Sequence, residues 1–221
     1  MLNNNSHTKN ITVDIINNEI ESLNKIRDNI INQSNNDFVY QINKICKHII
    51  QSSMQGKRVI LSGMGKCSFV AGRIAASLSS TGISSFFIDP AASAHGDLGM
   101  INCGDILIIL SNSGNTQELM PIISYVNDIN NVEDAQKMIK IIAITMNESS
   151  ILARNSDFLL KLPEHKESSK VGSPSSSITM MEVIGNILLV NLQEKISFTR
   201  EEFLKYHPGG SIGSILKGKK N

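Results

Sequence analysis

Arg58-Val59-Ile60-Leu61-Ser62-Gly63-Met64-Gly65-Lys66 is an apolar run that stops in a short glycine-bearing loop, and a helical pattern follows from Ser68 to Ser80. Farther along, Asp105 to Leu110 runs the same way into Ser111-Asn112-Ser113-Gly114-Asn115-Thr116, and a second helical pattern continues to Val126. Glycine lets the backbone turn tightly, and the helix that follows points its unpaired N–H groups back into the loop. Two such strand–loop–helix units on neighbouring parallel strands would form a cradle for a phosphorylated small molecule.

Working outward, strands are expected near 58–62, 84–88, 105–110, 139–145 and 157–162. All are continuous aliphatic or β-branched runs, as strands buried on both faces should be. Helical patterns at Ser68 to Ser80, Thr116 to Val126 and Ser149 to Asn155 separate them. This alternation predicts an α/β fold, a three-layer αβα sandwich around a five-stranded parallel sheet. Ahead of it, Ile16, Ile20, Leu23, Ile26 and Ile30 recur at helical spacing, and Phe38, Ile42, Ile45 and Ile49 mark a second helix that Gly56 ends. These helices should pack outside the sheet or against another subunit. Residues 1–10 are expected to form a disordered tail. Residues 11–221 form one domain, with its core at about 57–195. Asn127 to Lys137 is expected to be a polar surface extension. A long apolar helix starts at Ser175. Thr199 with Glu202 fits a capping box, and Phe198 with Phe203 a staple across it. That helix leads into His207-Pro208-Gly209-Gly210, and the basic end at 217–220 should fray.

Bulk composition narrows the class. Hydrophobic residues make up 41% of 221, enough for one sizeable core. The net charge of +1 gives no electrostatic footprint for nucleic acid, and no run approaches the roughly 18–20 apolar residues of a membrane span. The polar N-terminus is not a secretory signal. Cys46, Cys67 and Cys103 lack metal-like spacing, and an odd count suits a reducing cytoplasm.

In the first loop, Gly63 and Gly65 permit close approach, with Ser62 beside them, and Lys66 offers a compact positive charge. An ordinary turn with a surface lysine explains the loop equally well. Neither a Walker loop nor a dinucleotide fingerprint fits the spacing. The second loop has three hydroxyls, Ser111, Ser113 and Thr116, beside Asn112 and Gly114. One hydroxyl would suffice for a helix cap, so the surplus favours anion binding. Glu118 in the next helical turn suits the helix dipole, and could equally act as an acid or base beside a bound phosphate. His95, in Ala94 to Met100, and His207 lie in glycine-rich loops. Each could be structural, or poised for proton transfer near neutral pH. Glu167, in the polar stretch Glu164 to Ser177, is by itself indistinguishable from a solvated acid.

Together these segments resemble the sugar isomerase (SIS) domain family, and within it the D-arabinose-5-phosphate isomerases. The resemblance runs from about Lys57 to Ile215. It rests on Gly63-Met64-Gly65-Lys66, Ser80-Thr81-Gly82 with Ser85-Phe86-Phe87, Ala94 to Met100, Ser111 to Gly114, and His207 to Gly213. It implies interconversion of D-ribulose 5-phosphate and D-arabinose 5-phosphate for Kdo and lipopolysaccharide synthesis. It also implies a homotetramer with active sites shared between subunits, and no cofactor. The family's functional lysine falls on Lys66, its two glutamates on Glu118 and Glu167, and its histidine on His207. Gly82 and His95 match positions that line the substrate. Cys67 stands where many members have Ser, and Asp89 where many have a zinc-associated His, so no metal is expected. The loop after Glu167 is one residue short. Many members carry CBS domains after the catalytic domain, which this chain is expected to lack.

On this reading the second loop holds phosphate and Lys66 stabilises developing oxygen charge. Glu118 or Glu167 shuttles the carbon-bound proton, and His207 moves hydroxyl protons. Two alternatives are a non-catalytic SIS regulator that senses phosphosugars, and an isomerase of another phosphosugar. The regulator would want a DNA-binding or partner domain, and the N-terminal helices lack a basic recognition face.

Overall fold

The computed structural model describes residues 2–32, 37–132, 138–209 and 213–214. The Gly210-Ser211-Ile212 part of the C-terminal motif, the end of the acidic stretch at 133–137 and the basic tail lie outside the described residues. Five parallel strands, β1 (Val59–Gly63), β2 (Ser85–Ile88), β3 (Ile106–Leu110), β4 (Lys140–Thr145) and β5 (Phe158–Lys161), form one sheet in the order β2-β1-β3-β4-β5. Each expected strand is present.

Side chains alternate across a strand, and the two faces of this sheet sort cleanly. Val59, Leu61, Ile106, Ile108, Leu110, Ile142, Ile144 and Leu160 face one helical layer. That layer contains α1 (Leu2–Asn32), α2 (Asp37–Met54), α3 (Lys66–Ser79) and α7 (Ser176–Lys195). Ile60, Leu107, Ile109, Ile141 and Ala143 face the other, formed by α5 (Met120–Asn130) and α6 (Ile151–Arg154). Burial on both faces explains the unbroken aliphatic runs. Each Ile or Leu buried there contributes roughly 1.5–3 kcal/mol.

Differences from the sequence reading are local. α1 begins at Leu2, so residues 2–10 are the first turns of a helix rather than a disordered tail. They carry no apolar spacing because Asn5 to Asn17 is exposed and covers no core. A short helix, α4 (Pro90–Ser93), and a 3₁₀ turn (Asp97–Met100) were missed. Proline at the first helical position and Asp89 as its cap were the available signals for α4. Before α5 the chain makes a 3₁₀ turn, Gln117–Leu119. The capping box of α8 (Arg200–Tyr206) is formed by Thr199 and Glu202 as read. The aromatic partners differ, however: Phe198 stacks on Tyr206 and Phe203 on His207.

Two anchors fix the sheet. At its N-terminal edge the buried Asp105 carboxylate accepts from the Arg58 N–H (2.9 Å), the Arg58 guanidinium (2.6 Å) and the Asn102 N–H (2.9 Å). In the helical layer α3 and α7 approach closely at Gly185, where a Cβ would lie 2.4 Å from Ile74 Cδ1. Arg73 bridges the same helices through Glu182 and Asn186. Among the described residues no helix is long and apolar enough to cross a membrane.

Candidate active site

In a sheet of order 2-1-3-4-5 the chain reverses its direction of growth between β1 and β3. Crevices at the C-terminal ends of strands flanking such a reversal are the usual ligand sites. The two loops singled out from the sequence leave those two strands. They start on adjacent rungs: Gly63 pairs in register with Leu110. A Cβ on Gly63 would sit 3.0 Å from the Leu110 carbonyl oxygen and 3.1 Å from Cys67, so a side chain there would press the roots of the two loops apart by a few tenths of an ångström. The loops also touch at Cys67, which takes a hydrogen bond from the Asn112 backbone. Burial pushes the Cys67 thiol up, with this bond opposing it, so it is no thiolate at neutral pH.

The first loop ends at Gly65 (φ 61°), the N-cap of α3, which provides no side-chain cap. The first N–H groups of α3 therefore face the crevice without a side-chain partner, and Lys66 is exposed at that end. Ser62 differs from expectation. Its side chain is fully buried and its hydroxyl donates to Ile88 O at 3.0 Å, so that hydroxyl ties β1 to β2.

The second loop is cross-braced internally. Ser111 Oγ lies 2.9 Å from Thr116 Oγ1 and accepts from the Gly114 N–H at 3.0 Å. Ser113 Oγ accepts from the Asn115 N–H. Gly114 (φ 66°) is pressed against α6, and a Cβ there would lie 2.1 Å from Ser150 Oγ. Asn115 Oδ1 accepts from the Ile151 N–H, and the Leu152 N–H donates to Gly114 O. Asn112 Oδ1 is buried with no partner among the described residues, an acceptor left over inside the loop. Glu118 is exposed in the 3₁₀ turn that follows.

Glu167 reaches the same edge by another route. It lies in the loop from β5 to α7 and caps the N-terminus of α7. Its Oε2 accepts from the Ser175 N–H (2.6 Å), Ser175 Oγ (3.1 Å) and the Ser177 N–H (3.4 Å). Burial pushes its carboxyl up, but the hydrogen bonds from Ser177 and Ser175 outweigh it and hold it below the ordinary range. His165, which was not singled out, is buried beside it, with Nε2 3.6 Å from Glu167 Oε1 and Nδ1 2.9 Å from Pro163 O.

His95 is exposed and follows the C-terminal end of β2 through α4. Asp89, in the zinc-associated position, accepts from the Ala91 N–H at 2.9 Å and caps α4. Among the described residues no group of three or more His, Cys, Asp and Glu is disposed to hold a metal, so these residues do not fit a zinc site.

Lys66, Glu118, Glu167, His95 and the two loops thus share one edge. Gly82 and His207 do not. Gly82 precedes β2 and so lies at the opposite, N-terminal edge, and the Tyr206 hydroxyl stands 3.1 Å from where its Cβ would be. His207, next in the chain, stacks on Phe203 at 3.9 Å. Its Nδ1 is 2.7 Å from Phe203 O. A carbonyl only accepts, so Nδ1 is the donor in this contact and Nε2 is the ring nitrogen outside it.

The chain is 45% identical over 186 residues to an uncharacterised protein of Rickettsia prowazekii, covering 84% of this chain and 55% of that protein. It is 36% identical over 199 residues to the arabinose 5-phosphate isomerase of Francisella tularensis, covering 90% of this chain and 56% of that enzyme. The chain therefore spans about half the length of the curated relatives it matches. A solved structure of an Escherichia coli CFT073 protein in complex with arabinose 5-phosphate superposes with a TM-score of 0.77 at 28% identity, covering 92% of this chain and 99% of that one. The model of the SIS domain matches residues 54–190, more than half of the sequence, and the chain belongs to the SIS-domain family.

Proposed function

We propose that this chain is an aldose–ketose isomerase that interconverts D-ribulose 5-phosphate and D-arabinose 5-phosphate in the cytoplasm, without a cofactor, for Kdo and lipopolysaccharide synthesis. The observation that carries it is the pair of N–H-lined loops on adjacent rungs of β1 and β3, with Lys66 and Glu118 at their ends. The name of the Francisella relative and the sugar phosphate bound in the structural neighbour support the choice of sugar.

The phosphate takes the Ser111–Thr116 loop, where amide N–H groups and hydroxyls supply donors without a metal. That leaves the C1–C2 end toward Lys66. A carboxylate removes the carbon-bound proton and returns it to the neighbouring carbon. The intermediate is an enediol, and Lys66 stabilises the negative charge that builds on its oxygen. Between the carboxylates, Glu118 is the better candidate for this shuttle. Glu167 is engaged by three donors at α7, and those bonds lower its basicity. Nε2 of His207 moves hydroxyl protons.

Within one chain His207 and Gly82 belong to the edge opposite Lys66, so a second copy would complete each site. This favours a homotetramer with shared sites, since closed symmetric assemblies are the rule for such partnerships.

The direct test is incubation with D-arabinose 5-phosphate and assay for D-ribulose 5-phosphate, with no added metal or nucleotide. Turnover that disappears in Lys66→Ala supports the reading. Tight binding of the sugar phosphate without turnover would point to a sensor and overturn it.

A further inference from the structure

Glu167 sits in a loop that the sheet alone does not hold. The contacts that hold it come from the far end of the sequence, on α1. Asn18 Nδ2 lies 2.9 Å from Lys166 O, 2.9 Å from Ser168 Oγ and 2.8 Å from Ser176 Oγ. Glu19 Oε1 accepts from the same two hydroxyls, Ser176 Oγ at 3.0 Å and Ser168 Oγ at 3.2 Å. The two amide hydrogens of Asn18 are shared among its three acceptors. Each hydroxyl gives its hydrogen to Glu19 and offers a lone pair to Asn18. Ser168 in turn donates its N–H to Ser175 Oγ at 2.8 Å, and Ser175 donates both of its groups to Glu167. The residues on either side of Glu167, and the helix end that it caps, are therefore tied to two adjacent side chains of α1.

We propose that Asn18 and Glu19 are positioning residues that fix the Glu167 loop in its working geometry. The inference rests on the isomerase reading, with Glu167 as the second carboxylate beside the C1–C2 end and Glu118 as the proton shuttle, and on the hydrogen-bond chain alone for what holds it. A hydrophobic anchor would have sufficed to dock α1. Leu23 and Ile26, on the next turns, already supply one. Two polar side chains converging on Lys166, Ser168 and Ser176 do something else: they specify where the loop stops. A carboxyl displaced by an ångström loses much of its catalytic value, and a remote contact that sets its place shows that loss in kcat.

The test uses the full chain in four variants. Asn18→Ala and Glu19→Ala should each lower kcat for D-arabinose 5-phosphate by about 10- to 100-fold with KM nearly unchanged. Glu19→Gln keeps an acceptor oxygen for both hydroxyls and should restore most of kcat. Asn17→Ala, one residue away and exposed, should match wild type. Wild-type kcat in Asn18→Ala and Glu19→Ala would overturn the proposal, and so would equal losses in Glu19→Gln and Glu19→Ala. Amide hydrogen exchange gives a readout independent of turnover. The N–H groups of Ser168, Ser175 and Ser177 should exchange faster in Asn18→Ala while those of β3 stay protected. Unchanged protection there overturns the clamp even if the wild-type chain proves inactive on this sugar, an outcome that would refute the isomerase reading separately.

Discussion

At the residue scale the two carboxylates divide by environment. Glu118 is exposed and Glu167 is bonded to a helix end, and this difference makes them experimentally separable. Glu118→Gln should slow exchange of the substrate C2 proton with solvent by about 10²- to 10⁴-fold, as loss of a general base does. Glu167→Gln should slow it less. Proton NMR of D-arabinose 5-phosphate in deuterated buffer measures both, and a reversed order would exchange the two roles. Glu167 also has a signature in stability. Its carboxyl is held low in the folded chain, so the folded state favours the ionised form. The stability this gives is present at neutral pH and is lost as pH falls through the folded value. The urea midpoint of wild type should exceed that of Glu167→Gln at pH 7, and the gap should narrow as the solution is acidified below the ordinary carboxylate range. The sequence showed both acids and their spacing from the loops. It could not show that Glu167 caps α7, because its donors lie across a loop whose path no local pattern encodes. Asn18 and Glu19 were invisible for the same reason, their partners being 148 and more residues away. The buried hydroxyl of Ser62 shows the opposite limit: residue type alone did not tell a ligand donor from a strand tie.

Whole elements were far more legible. Unbroken aliphatic runs marked β1, β3 and β4, since burial on both faces leaves no room for polar residues, while the edge strands β2 and β5 are shorter and only partly buried. Helical spacing found α2, α3, α5 and α7 because each buries a stripe. The start of α1 was missed for the same physical reason, as its outer turns bury nothing. Asp105 is the element-scale feature most open to measurement, since it joins the starts of β1 and β3 through Arg58. Asp105→Ala leaves the Arg58 and Asn102 N–H groups without their acceptor and the Arg58 guanidinium with the Met100 carbonyl in place of an ion pair. Loss of a buried partner costs about 3–5 kcal/mol, and the lower end applies because Arg58 keeps 27% of its side chain exposed. Chemical denaturation should report that loss. A change below about 1 kcal/mol would mean that water replaces the carboxylate without penalty.

For the whole molecule, strand order was the quantity that sequence withheld, and it decides which loops become neighbours. Once β1 and β3 stand side by side, Lys66 and Ser111 share a crevice while Gly82 and His207 fall on the other edge. A shared site makes a specific arithmetic prediction. Lys66→Ala and His207→Ala chains should each be inactive alone. When they are refolded together in equal amounts, about a quarter of the sites draw both intact residues, if assembly is random. Activity near that fraction supports donation between copies, and complete inactivity of the mixture would place both residues in the same chain's site. Sedimentation of the wild-type chain checks the assembly itself.

The adjacent rungs of Gly63 and Leu110 have a consequence for how specificity could drift. Both loops are welded at their bases, one by the Leu110 carbonyl and Cys67, the other by Ser150. Any adaptation to a bulkier sugar has to occur at the outlying tip of the first loop, Met64, which is exposed. The anion grip would then stay constant across a lineage while the preferred carbon skeleton wandered.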